Sequence, residues 1–408
     1  MKLWAGVIGL ALVAGLSAQA PQANDFRAMQ WRYVGPPGNR TDAVTGVPGD
    51  PMTYYSGTAA GGIFKTSDGG LHWSPIFDSE PVMSIGALTV DPSDHNVVWA
   101  GTGESFLRSH ISIGAGIYKS TDAGATWKFM GLKPTGRITR IVVDPRNPEI
   151  VLACAIGTTY GPQPDRGVFR SADGGATWTK TLFVDENTGC SGLDMDRSNP
   201  RILFAGMWQF EQKTWGQTSG GSSSGVFKST DEGLTWTRLS GHGLPHAPLG
   251  KINVAIAPSD PSRVYAMIET GDGFIIDGKH TQPGVLWMSS DDGATWTMMS
   301  SNPGLQSRTH YYNRAAVASD DPNEIYFLGN SFLHSLDGGR DLASMASPGG
   351  DNHDMWIDPT NSANMAVAND SGVSITHDRG RVWNHISLPI AQIYHVTTDD
   401  AVPYHLFG

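Results

Sequence analysis

Residues 120–127 read STDAGATW, and six other stretches repeat the pattern: TSDGGLHW (66–73), SADGGATW (171–178), STDEGLTW (229–236), SSDDGATW (289–296), SLDGGRDL (335–342) and THDRGRVW (376–383). The shared acids are Asp68, Asp122, Asp173, Asp231, Asp291, Asp337 and Asp378, spaced 54, 51, 58, 60, 46 and 41 residues apart. Self-similarity at such a period is the mark of a repeat architecture. A second motif runs at the same phase between the boxes: VPGDP (47–51), VDPSDH (90–95), VDPRNP (143–148), MDRSNP (195–200), IAPSDP (256–261), VASDDP (317–322) and IDPTNS (357–362). Each repeat therefore reads as an apolar strand such as IGALTV, a turn with proline, and a second strand such as VVWAGTG. A variable loop, a third strand such as GIYKS, the box turn and an outer strand such as TWKFMGL complete it. Four short antiparallel strands at this period form one propeller blade, and a blade must stack on neighbours to bury both faces.

Composition agrees. The 408 residues include 50 Gly, 25 Pro and 13 Trp, a turn-dense, aromatic-rich usage that suggests an all-β protein. The formal charge of −11 offers no electrostatic footprint for nucleic acid or an anionic membrane. At the N-terminus, Lys2, an apolar run from Leu3 to Leu16 and then Ala18-Gln19-Ala20 form a secretory signal pattern. The run is short of the ~20 residues of a membrane span. Export to the periplasm or the outside follows, with no membrane span once residues 1–20 are removed. The two cysteines, Cys154 and Cys190, fall in neighbouring repeats. A disulfide and two buried free thiols both remain open, and the count builds no zinc site. No metal or cofactor is expected, and the chain is read as a monomer.

The box chemistry is that of a turn. An Asp accepts hydrogen bonds from backbone N–H groups one to three residues ahead, Gly takes the awkward backbone angles, and the Trp packs between blades. On this reading the boxes are structural, and losing one destabilises the fold without touching a ligand. Box six ends in Asp341-Leu342 instead of Thr-Trp, so its blade should be the loosest.

The motif S-x-D-x-G-x-T-W resembles the Asp-box, or BNR, repeat of sialidases, family 74 xyloglucanases, sortilin-type receptors and photosystem II assembly factors. With SIGALTVDPSDHNVVWAGTGE (84–104), GVFRSADGGATW (167–178) and GDNHDMWIDP (350–359), the chain looks most like large exported bacterial sortilin-like or glycosyl-hydrolase BNR proteins. The resemblance covers nearly all of residues 30–408 and is far more specific for fold than for function. It implies a β-propeller over residues 21–394, with seven complete repeats. Residues 395–408 then look like the first strands of an eighth repeat, as if the chain were truncated relative to the family. The strand WRYVGPP (31–37) is free to complete the last blade.

Strand alternation puts the box turns on one face. The loops that enter the innermost strands, and those joining second to third strands, gather on the other, where a site at the channel mouth is expected. Ligand-binding candidates there are Glu104, Arg140, Trp208, Trp215, Tyr312, Arg314, Asp351, His353 and Asp354. GDNHDMW suits an acid/base or metal constellation as well as turn-forming and blade-linking bonds. His353 and Asp354, adjacent on a strand, point to opposite faces, which disfavours one shared ion. Trp208, Trp215 and Tyr312 suit stacking on a sugar or gripping a peptide, or packing under long loops. The arginines suit a carboxylate ligand or, preferably, salt bridges between blades.

Two functions follow. The favoured one is an exported propeller that binds a glycan or a peptide or protein ligand at its channel mouth. The alternative is a glycoside hydrolase related to xyloglucanases, acting on xyloglucan or β-glucan through two carboxylates roughly 5–9.5 Å apart. The Arg-Ile-Pro signature of sialidases is missing. Resemblance to family 74 implies a catalytic Asp in a first-repeat stretch like Thr-Asp-x-Gly-Gly-x-Tyr. Here that stretch is Thr58-Ala59-Ala60-Gly61-Gly62-Ile63-Phe64, with Ala59 at the Asp position. The catalytic residues thus stay unassigned.

Overall fold

The computed structural model describes residues 40–408, apart from 109–110, 271–274, 277–278, 281–283, 307, 392 and 394. The signal pattern of residues 1–20 and the strand expected at 31–37 lie outside the described residues.

Each repeat becomes a blade, numbered here in chain order. In blade 1 the strands Thr41–Val47, Asp50–Thr58, Ile63–Thr66 and Ser74–Pro75 pair in sequence order, all antiparallel. The innermost strands of blades 2 to 7 are Ile85–Val90, Ile138–Val143, Thr188–Met195, Ile252–Ile256, Arg314–Val317 and Asn352–Ile357. Every one of them is followed by the expected proline-phase turn and a second strand. In blade 4 the second strand, Leu203–Lys213, runs on past the sheet and pairs with Gly216–Ser219 to form a projecting hairpin.

Seven apolar clusters hold the ring, one per blade interface. The interface that closes it joins Val44, Tyr54 and Phe64 of blade 1 to Ala366, Ala368, Val373 and Ile375 of blade 7. Gly46 matters here: a Cβ on it would lie 2.6 Å from the Trp356 ring, so only glycine lets that indole reach blade 1. Blade 7 takes its outer strand, Asn384–Ile386, from its own repeat. Residues Thr397–Thr398 and Leu406–Phe407 form a separate exposed two-stranded hairpin.

The box turns repeat one bonding scheme. Asp122 Oδ1 accepts the Thr126 amide (2.8 Å) and the Ser120 hydroxyl (2.7 Å), and Oδ2 accepts the Thr126 hydroxyl (2.6 Å). Ser120 Oγ in turn accepts the Gly124 amide at 2.8 Å. The shortest donors thus sit four residues ahead and two behind; a donor three ahead also occurs, as where the Arg340 amide reaches Asp337 Oδ1 at 3.0 Å in box six. The Trp127 indole N–H reaches the Ile76 carbonyl of the preceding blade (2.8 Å), and Trp178 reaches Met130 likewise (2.8 Å). Box six lacks its Thr-Trp, and its blade has three strands; a single bridge from His334 to Ala343 stands where the fourth would be.

The cysteines are joined. Cys154, on the second strand of blade 3, forms a disulfide with Cys190 on the innermost strand of blade 4, which settles the question the sequence left open. No helix among the described residues is long and apolar enough to cross a membrane.

Candidate functional site at the channel mouth

The loop after the second strand of blade 2 decides the shape of the mouth. Instead of spreading outward, Glu104, Ser105, Phe106 and Leu107 turn inward and are all buried. The Phe106 ring lies 4.8 Å from the His353 ring, 5.5 Å from Tyr311 and 4.7 Å from the Arg314 guanidinium. It therefore plugs the axis between blades 6 and 7.

Cross-channel bonds form a septum beside the plug. Asp354 Oδ1 accepts Arg140 of blade 3 (2.8 Å) and Arg314 of blade 6 (3.1 Å), while its Oδ2 accepts the Val44 amide of blade 1 (3.3 Å). Arg314 also donates to the Thr139 carbonyl of blade 3 at 3.2 Å. Asp354 and Arg314 are buried, and this is the blade-to-blade bridging that the sequence favoured for the arginines.

Above the plug lies a second network. Arg40 donates to Glu104 and, at 3.1 Å, to the Tyr311 hydroxyl. Arg108 Nε (3.1 Å) and the Ser112 amide (3.1 Å) also donate to Glu104. His353 Nδ1 lies 2.7 Å from the Thr41 carbonyl, which can only accept, so that nitrogen carries the proton. Its Nε2 then accepts the Tyr311 hydroxyl at 3.1 Å. Burial, reinforced by Arg40, holds the His353 imidazole well below its ordinary pKa, so the ring is neutral. With both nitrogens engaged, His353 belongs to the frame of the mouth. A bulge between Asn352 and Asp354 breaks the alternation expected of this strand, and the two neighbours, with different partners, both reach blades 1 and 6.

The acids behave differently. Burial pushes the Asp42 carboxyl well up, although Arg40 Nε, 3.3 Å away, works against it. Asp370, in the loop after the second strand of blade 7, is half exposed. Burial and then the Asp351 carboxylate, with which it shares a hydrogen bond, push it up to about 6. Tyr312 donates its hydroxyl to Asp351, and burial followed by that carboxylate drives the phenol pKa up. A hydrogen-bonded pair of carboxyls, with Asp370 the one raised, thus stands at the rim.

The tryptophans separate. Trp208 is buried, its indole N–H bonded to Ser219 (3.1 Å) and its ring 5.3 Å from Lys251. Trp215 sits at the tip of the blade 4 hairpin and is 83% exposed. The structure therefore brings together Glu104, Tyr312, Asp351 and His353. It sets Arg140, Arg314 and Asp354 deeper in the channel, buries Trp208 and projects Trp215. Sequence reading missed Phe106, since a lone aromatic in an aperiodic loop carries no signal of its direction.

Comparison with known proteins now places this ring. A xyloglucanase of a Paenibacillus species is 25% identical over 354 residues, spanning 79% of this chain and 33% of that protein. A probable oligoxyloglucan-reducing end-specific xyloglucanase of Neosartorya fischeri is 22% identical over 442 residues, spanning 95% and 50%. The crystal structure of the GH74 xyloglucanase from Xanthomonas campestris superposes with a TM-score of 0.59 at 18% identity, covering 86% of this chain and 54% of that one.

The chain is distantly similar to the GH74 xyloglucanases.

It is a glycoside hydrolase-like β-propeller, and it spans a third to a half of the length of the two xyloglucanases it matches in sequence. No family model matches it. The position at which the resemblance implied an Asp, Ala59, lies in the mouth-face turn between the second and third strands of blade 1. Its amide donates to the Arg40 carbonyl at 3.2 Å, so the xyloglucanase-like first-repeat position borders the network around Arg40.

Proposed function

We propose that this chain is a glycan-acting propeller of the xyloglucanase type, with a xyloglucan or related β-glucan chain lying across the mouth face. The observation that carries the reading is sequence likeness to xyloglucanases over 79% and 95% of the chain. The chemistry of the face supports it. The exposed indole of Trp215 offers a flat apolar platform to a pyranose ring. Glu104 and Asp42 are both buried, so the acid function within reach of a ligand falls to Asp370 and Asp351. A carboxyl raised to about 6 is suited to protonating a leaving glycosidic oxygen. The disulfide fits an exported protein, the setting the N-terminal pattern suggests.

Ala59 favours a second reading, glycan binding without cleavage, because the first-repeat acid position carries a methyl group. One experiment separates them. The purified chain is run through gels containing xyloglucan, mixed-linkage β-glucan or starch, and new reducing ends are assayed in parallel. Retardation by xyloglucan alone, weakened several-fold by Trp215→Ala, is expected. Reducing ends that vanish with Asp370→Asn mark a hydrolase; retardation without them marks a binding module. A chain retarded by none of the three is not a glycan protein, and the proposal fails.

A further inference from the structure

The loop that leads into the innermost strand of blade 6 holds a strained arginine at the mouth. Arg308 has a φ of 51°, in the left-handed region that a residue with a side chain seldom occupies. Four other non-glycine residues in that region, Ala123, Glu232, Asp292 and Arg379, belong to box turns, whose bend demands it. Arg308 serves no box. With Asn313 (76°) and Asp351 (56°), it is one of three such residues gathered beside the rim acids. Strain of this kind collects where a side chain is aimed at a ligand.

The turn fixes the aim. The Arg308 carbonyl accepts the amides of Tyr311 (2.8 Å) and Tyr312 (3.0 Å), and its guanidinium returns over both rings, 4.6 Å and 5.7 Å from their centres. A guanidinium stacked on a ring engages its flat face and leaves its in-plane N–H donors free. Arg308 is exposed and makes no ion pair or side-chain hydrogen bond among the described residues. Asp351, at the hydroxyl end of Tyr312, is held by that hydroxyl and by Asp370. The field beside Arg308 is cationic. Burial, then Lys251 and Arg308, push the neighbouring His310 imidazole down to about 4, with no carboxylate to offset them.

We propose that Arg308 makes the mouth prefer a glycan whose sugars carry a carboxylate, a uronate, over the neutral chain. This preference rests on the glycan reading of the mouth and gives it a specificity-determining residue. A planar fork with free donors matches a carboxylate through two parallel N–H···O bonds. The two tyrosine rings already hold the fork in place, so little freedom is lost on binding. The whole chain carries a formal charge of −11, which repels an acidic ligand at long range. A preference for the acid form must therefore come from a local cation.

The test is titration calorimetry of the full chain with xyloglucan oligosaccharides, one batch untreated and one oxidised at its primary alcohols to uronates. The oxidised chains should bind about fivefold more tightly or better, and Arg308→Gln should bring the two affinities within about twofold of each other. Arg308→Gly guards against a folding artefact, because glycine takes a positive φ without strain. Its melting temperature should equal or exceed that of the wild type while the preference disappears. A lower melting temperature would place Arg308 in the frame of the mouth, and the proposal fails. Equal affinities in the wild type, or a preference that survives in R308Q or R308G, overturn the role of Arg308 and leave the glycan reading standing. Binding of neither oligosaccharide overturns both.

Discussion

Phe106 shows how one side chain sets the topology of the mouth. Its ring is 1% exposed and touches side chains from blades 6 and 7, with Lys251 of blade 5 at 5.5 Å from its centroid. Removing a buried aromatic leaves a void that a β-scaffold fills poorly, at a cost of about 3–5 kcal/mol. Phe106→Ala should therefore lower the urea midpoint by that equivalent, while Phe106→Leu keeps most of the volume and costs well under half as much. A midpoint unchanged in F106A means that the loop lies elsewhere in solution. The same residue marks a limit of sequence reading. Strand alternation predicted that His353 and Asp354 point to opposite faces, but a bulge between Asn352 and Asp354 breaks the alternation, and both residues bond toward blades 1 and 6. The inward turn of residues 104–107 could not be foreseen, because it is fixed by contacts with blades more than 200 residues away.

At the scale of the element, the box turn was legible because its period, its Gly and its acid all serve one local geometry. The hydrogen-bond donors around each acid depress its pKa: Asp68, Asp122, Asp173, Asp231 and Asp291 are held down at about 2. The unfolded value is about 3.9, so each box binds a proton more readily unfolded than folded. Its stabilisation is complete above pH ~4 and is lost as pH falls through 2. The melting temperature should accordingly be level near neutrality and drop steadily from pH 4 to pH 2, with extra proton uptake on unfolding. A melting temperature that holds to pH 2 removes the boxes from the stability of the fold. Box six makes a second prediction. Its blade ends in one isolated bridge, so its sheet has one neighbour fewer to protect it. In native-state hydrogen exchange, amides of Ile325–Leu328 should exchange before those of Val264–Ile268 in blade 5. The reverse order would show that packing against blade 7 outweighs the missing strand.

At the scale of the molecule, blade 7 meets blade 1 through apolar contacts, the Gly46–Trp356 fit and hydrogen bonds such as the Val44 amide to Asp354 and the Gly49 amide to Asp358, with no strand exchanged between them among the described residues. The covalent staple lies elsewhere, between blades 3 and 4. Sequence reading could not place it, because two cysteines 36 residues apart in adjacent repeats come within bonding distance only if the blades stack in one particular register. Once formed, the bond limits the unfolded chain more than the folded one. For a loop of 36 residues the chain-entropy estimate is roughly 4 kcal/mol. Both sulfurs are buried in the interface cluster, so a reductant added to the native protein should reach them slowly. The clean comparison is therefore Cys154→Ala with Cys190→Ala against the oxidised chain, in equilibrium urea denaturation. The double variant should lose about 3–4 kcal/mol, with a steeper dependence on urea as its unfolded chain expands. Each single variant, left with one buried thiol, should match the double to within the cost of a methyl-sized void. A loss below ~1 kcal/mol would mean that blades 3 and 4 already hold together in the unfolded ensemble, and the disulfide would then fasten what packing had joined.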